Sequence, residues 1–202
     1  MAIGIVRTTW AGTSGGPGLS QIAVAEGAGA FWTATQAQNA VNAVRTFWNS
    51  CAPLLPDDIV LTVQPVVDIY NEVDGQLTAS VTAATPPTSV TGTSAVAFAM
   101  AAGVKMTLNT GVIRNGRRVR GGIFIVPTSS AVYGNNGLVL SSARTTINAA
   151  GNALISALNT SGLVLSVYSR PVTVTNPRPG AHTPVSGVET GEKGALLRGR
   201  RD

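Results

Sequence analysis

Residues 33–67, "TATQAQNAVNAVRTFWNSCAPLLPDDIVLTVQPVV", change period in the middle, and that change decides the fold class. Ala37, Ala40, Val41, Val44, Phe47, Trp48 and Cys51 recur at steps of three and four, the mark of a helix with one buried face. Thr33 or Thr35 can cap its start and Pro53 closes it. From Asp58 the sequence turns to the β-branched alternation of a strand, interrupted at Pro65, where a missing N–H calls for a bulge or an edge. "IGIVRTTW" and "LSQIAVA" upstream read as two further strands, and "VDGQLTASVTA" downstream continues across an Asp74-Gly75 turn. "SGGPG" (14–18) lacks the lysine and hydroxyl of a phosphate loop and reads as a hairpin tip.

The second half runs in the same order. "VKMTLNT", with Val104, Met106 and Leu108 inward, and "GIFIVP" are strands. A helix follows, capped by Ser141 or Ser142, with a thin alanine-rich stripe through Ala143, Ile147, Ala150, Leu154 and Leu158, ending between Asn159 and Gly162. "LVLSVYSRPVTV" is then a strand in which Pro171 matches Pro65. Strand, strand, helix, strand thus occurs twice. The expected fold is α+β, mostly antiparallel sheet with two helices and an internal pseudo-repeat. The expected organisation is a first unit over 1–82, a linker over 83–94 ("AATPPTSVTGTS"), a second unit over 95–176 and a C-terminal extension over 177–202.

Composition excludes several classes of function. A chain of 202 residues can bury a core without staples, and its one cysteine, Cys51, permits no internal disulfide and no cysteine metal cluster. That thiol belongs to the apolar helix face and is expected as core filler. The opening "MAIGIVRTTW" lacks signal-peptide character and no apolar run reaches 18 residues, so a soluble chain without export or membrane partner is expected. The lone histidine, His182, sits in the proline- and glycine-rich "NPRPGAHTPVSG", remote from any nucleophile motif. Asp57, Asp58, Asp68, Glu72 and Asp74 fall in one region, where paired carboxylates or a hard-cation site are conceivable, but a strand approach and a turn account for most of them. No catalytic residue, cofactor or metal site is therefore assigned, and no enzyme is expected.

Charge is scarce and unevenly placed. Only 11 % of residues are charged, against roughly 25 % in ordinary domains. A surface so poor in charge favours burial against copies of itself, which points to a homo-oligomer. Eight of the fourteen basic residues lie in two stretches: Arg114, Arg117, Arg118 and Arg120 in "RNGRRVR", and Lys193, Arg198, Arg200 and Arg201 near the C-terminus. Four clustered arginines cannot be core in a chain with nine acidic groups. Three readings stay open for "RNGRRVR": a phosphate contact, a solvated hairpin, or an interface element whose guanidinium forks pair with a neighbouring subunit. Low charge elsewhere favours the interface. The ending "ALLRGRRD" suits an arm that docks Leu196 and Leu197 on a neighbour with Arg198, Arg200 and Arg201 at the rim.

The run "NTGVIRNGRRVRGGIFIVP" (109–127), the helix after it, "YSRP" and the ending "ALLRGRRD" resemble small virion structural proteins of tailed bacteriophages, of the kind seen in actinobacteriophage and environmental phage genomes. In those sequences a Thr-Gly step leads through "GRRxRGR" to an "F-x-P" strand and the chain ends in "LRSRRD". Gly122 stands where that pattern has arginine, and Gly199 where it has serine. The resemblance implies a virion subunit made in the host cytoplasm that partners itself and other virion proteins. A tail or head-tail position is expected, with capsid or capsid decoration as one alternative and a nucleic-acid-binding packaging protein as another.

Overall fold

The computed structural model describes residues 2–12, 18–27, 31–71, 73–85, 88–95, 103–114, 117–132, 139–164 and 171–175. β1 (Ala2–Ala11) and β2 (Gly18–Glu26) form an antiparallel hairpin, with Ile5 opposite Ala23 and Val6 opposite Ile22. Every second residue of β1 is buried: Gly4, Val6 and Thr8 face the core and Ile3, Ile5 and Arg7 the other side.

The helical stripe folds as its period requires. α1 (Ala34–Cys51) buries Ala37, Ala40, Val41, Ala43, Val44, Phe47, Trp48 and Cys51. Of the two threonines that could cap it, Thr33 does so, its Oγ1 accepting from the Gln36 N–H at 3.3 Å. A single 3-10 turn over Ala52–Leu54, with Pro53 in it, ends the element. Phe47 and Trp48 meet edge to face, with ring centroids 5.0 Å apart at 72°. Trp48 Nε1 donates to Thr8 Oγ1 at 3.0 Å, so the two buried polar atoms satisfy one another and tie the helix to β1.

β3 (Val60–Asn71) pairs antiparallel with β1 on the side opposite β2. Val6 faces Val67 and Thr8 faces Val63, so three β3 residues, Pro65 among them, oppose the single Arg7. The bulge expected of Pro65 is there, and its carbonyl accepts from the Ala83 N–H at 2.8 Å. β4 (Leu77–Thr82) follows across a loop longer than a two-residue turn, closed by Asn71 N–H to Gln76 O at 2.9 Å, with Gly75 at φ +71°. The segment read as a linker is in part structured. β5 (Val90–Thr91) pairs with the start of β3, Val90 is buried, and Thr93, Ser94 and Asp57 make backbone bonds of 2.9 to 3.0 Å to Ala52, Leu55 and Ser94. Its composition reads as loop because its partners lie outside it in sequence.

β6 (Gly103–Arg114) and β7 (Arg117–Pro127) form a second antiparallel ribbon. α2 (Ser141–Thr160) buries Ala143, Ile147, Ala150, Gly151, Leu154 and Leu158 and packs on α1, its small residues allowing close approach. Neither Ser141 nor Ser142 caps it. Leu140 is the cap residue and the two serines lie in the first turn, where their carbonyls accept Thr145 and Thr146 hydroxyls at 3.0 and 3.1 Å. Gly162, at φ +76°, ends the helix as a left-handed stop. The two described ends of the final strand expected over "LVLSVYSRPVTV" have different partners: β8 (Leu163–Val164) pairs with β2, and β9 (Pro171–Thr175) pairs with β6. Pro171 opposes Met106 at a register shift.

The fold is therefore α+β, with sheet paths β4-β3-β1-β2-β8 and β7-β6-β9 and with β7 lying beside β2. β1 lies between β2 and β3, and β6 between β7 and β9, while β8, which follows α2, joins the first sheet beside β2. One buried cluster joins Phe47, Trp48 and Leu61 to Val126, Ile147 and Leu158 across both halves of the chain. Ser129 adds a polar tie, its N–H reaching Leu54 O at 2.8 Å and its Oγ paired with Ser94 Oγ at 2.9 Å.

Candidate assembly surface

Among the described residues, sheet alternation leaves one face of β3-β1-β2 without a helix. Because Val6, Thr8, Ile22, Val24, Leu61, Val63 and Val67 point to the core, their neighbours point away from it. That helix-free face carries Ile3 and Ile5 with Leu77 and Val66 on their β3–β4 side, and, past Arg7 and Thr9, Leu19 and Val60 toward the other end of β1. Leu19, Val60, Val66 and Leu77 are 54 %, 41 %, 36 % and 56 % exposed, too much for side chains that serve only to fill a core.

Polar groups on the same face are held by one another. Arg7 Nη1 is ion-paired with Asp68 Oδ2, Arg7 Nη2 donates to the Tyr70 hydroxyl at 3.4 Å, and Ser80 Oγ donates to Asp68 Oδ1 at 2.6 Å. The hydrogen bond from Arg7, followed by that from Ser80, holds the Asp68 carboxyl below its usual range, and the bond to Asp68 raises Arg7 further. β1, β3 and β4 are thus locked together on this side. Asp68 is engaged structurally, Asp57 and Asp58 precede β3 at its far end, and Asp74 caps the turn by accepting from the Gln76 N–H at 3.0 Å. Glu72 lies outside the described residues. Among the described residues, no three His, Cys, Asp or Glu side chains group to hold a metal ion. Cys51 is buried in the core as its place on the helix face required, and burial pushes its thiol up to about 12.

The arginine stretch forms the closed end of the β6–β7 ribbon. Arg114 is paired with Arg117, Ile113 with Arg118 and Asn109 with Arg120. All four arginines are brought onto one hairpin. Leu196, Leu197, Arg198, Arg200 and Arg201 lie outside the described residues, as do Lys193 and His182.

The helix-free face itself is absent from the expected interface residues. Its signal was present in "AIGIV", where apolar residues occupy both alternating registers rather than one. No helix among the described residues is long and apolar enough to cross a membrane. No family model matches the chain, and neither a curated protein nor a solved structure matches it.

Proposed function

We propose that the chain is a self-assembling structural subunit of a tailed-bacteriophage particle, placed in the tail or head-tail region. The observation that carries self-assembly is the helix-free face, where Val66 and Leu77 beside Ile3 and Ile5, and Leu19 and Val60 toward the other end of β1, stand exposed on a sheet braced by Arg7 and Asp68. Apolar area of that kind, in a chain with 11 % charge, is relieved by covering it with protein. The particle is supplied by the sequence likeness of residues 109–127 and 195–202 to phage virion proteins. In the finer reading, the two strand-strand-helix-strand runs are related units. The central places of β1 and β6, the paired helices and a proline at a register shift in β3 and in β9 support it.

The test is twofold. Light scattering on purified protein should give a discrete oligomer, and a tagged chain in a phage lysate should carry gold label at the tail or neck in electron micrographs. Label over the head shell would move the subunit to the capsid or its decoration. A monomer at every concentration would end the self-assembly reading.

The β6–β7 ribbon favours a second reading, a nucleic-acid-binding packaging protein. A two-stranded ribbon fits the major groove, and four arginines at its tip can neutralise phosphates. Four such contacts would weaken duplex binding about a hundredfold between 50 and 200 mM salt. Retention that survives Arg117→Ala with Arg118→Ala, or that ignores salt, removes this reading.

A further inference from the structure

We propose that β4 is the seam through which two copies of the chain join, pairing β4 with β4 antiparallel about a twofold axis so that two sheets continue as one. This rests on the self-assembly reading and names its surface. β4 ends the path β4-β3-β1-β2-β8, and among the described residues no strand pairs with its outer side. An outermost strand presents a row of backbone N–H and C=O groups that only another strand can satisfy in register, and proteins blunt such edges with charge, proline, bulges or shortness. β4 carries neither charge nor proline. The six residues "LTASVT" lie within a stretch, residues 75–104, that contains no Asp, Glu, Lys or Arg at all. Its pairing with β3 runs without irregularity from Ile69–Ala79 to Val66–Thr82, the one shift lying at the turn end.

The strand is also held firmly in place. Ser80 is bonded to Asp68 at 2.6 Å, Val81 packs on the core, and just beyond the strand Thr85 N–H reaches Gln38 Oε1 at 2.5 Å. Residues 77–80 and Thr82 are nonetheless exposed.

A second copy fits this edge better than a different partner because the strand is complementary to itself. Two uncharged β4 strands face one another with no like charges opposed, and an antiparallel pair about a twofold closes without further subunits. A six-residue ladder alone falls short of the roughly 1,000 Å² a stable interface needs. Leu77, in β4 and 56 % exposed on the helix-free side, adds side-chain contact to that ladder when the strand meets its copy.

Ala79 is exposed in the middle of β4, and charge placed there falls close to its own copy across the twofold. Full-length wild type, Ala79→Lys and Ala79→Glu are compared by melting and light scattering. Expected are cooperative melting of folded protein and a fall to half the wild-type mass or less for each variant, with the wild-type mass restored on mixing the two. Variants that keep the wild-type mass overturn the proposal. Folded variants of low mass that do not recover on mixing overturn the twofold, since β4 then meets a different surface. A monomeric wild type overturns the self-assembly reading itself. Should the variants fail to fold, hydrogen exchange on wild type decides: protection of the 77–82 amides must rise with protein concentration, and concentration-independent exchange there overturns the seam.

Discussion

Trp48 is where helix, sheet and polar satisfaction meet, and removing it tests all three. Its side chain is fully buried, stacks edge-on against Phe47 at 5.0 Å and donates to Thr8 Oγ1 at 3.0 Å. Truncating a buried aromatic residue costs about 3–5 kcal/mol, of which the indole hydrogen bond contributes about 0.5–1.5 kcal/mol. Against a total stability of roughly 5–15 kcal/mol, Trp48→Ala removes about a fifth or more. For a chain of this size each kcal/mol moves the midpoint by about 2–4 °C, so a fall of roughly 6–20 °C in Tm is expected. Urea unfolding followed by circular dichroism measures the loss. A cycle of Thr8→Val, Trp48→Phe and the double variant isolates the hydrogen bond, with an expected coupling of about 0.5–1.5 kcal/mol. Additive single effects would refute the bond. A loss under about 1 kcal/mol for Trp48→Ala would refute more, because the stripe on α1 would then have to face away from the sheet.

Asp68→Asn should cost about 1 kcal/mol at neutral pH, as a partly exposed ion pair does. Because the folded-state pKa of Asp68 is depressed, its contribution is present above the unfolded value near 3.9 and is lost as pH falls through the folded one; wild type and variant should therefore converge in acid denaturation curves. Cys51 should resist alkylation by iodoacetamide in native protein up to about pH 10 and react fully in urea, since its folded pKa of about 12 lies above the ordinary thiol value; rapid native labelling, read by mass spectrometry, would contradict its burial. That raised value stabilises fully below about pH 8.5 and fades as pH climbs toward 12. Gly92→Ala should destabilise by about 1–3 kcal/mol, because a Cβ there would stand 1.9 Å from the Pro56 carbonyl oxygen; an unchanged melting curve would mean that the 88–95 segment is not strapped to the 52–57 turn.

Local signals carried far in this chain. The apolar steps from Ala37 to Cys51 set the buried face of α1, Thr33 was among its two candidate caps, and Pro65 and Pro171 both fall at register shifts. Each depends on residues within a few positions, where period, capping and a missing N–H act directly. The arginine hairpin was legible as a cluster, though its pairing was not. Partners distant in sequence were beyond reach. Nothing near Trp48 announces Thr8, forty positions away, and nothing in "AATPPTSVTGTS" announces that its backbone would be bound by Ala52 and Leu55. "LVLSVYSRPVTV" has the propensity of a single strand, yet its two ends pair with β2 and β6, because strand pairing is decided by which edges the packed core leaves open. The outward face with Leu19, Val60, Val66 and Leu77, and β4 as the end of the sheet, likewise exist only after helices have chosen a side. The sequence by itself determined the elements and the one-sided helices; tertiary structure decided which strands became neighbours and which surface was left uncovered, since those depend on long-range packing that no local period encodes.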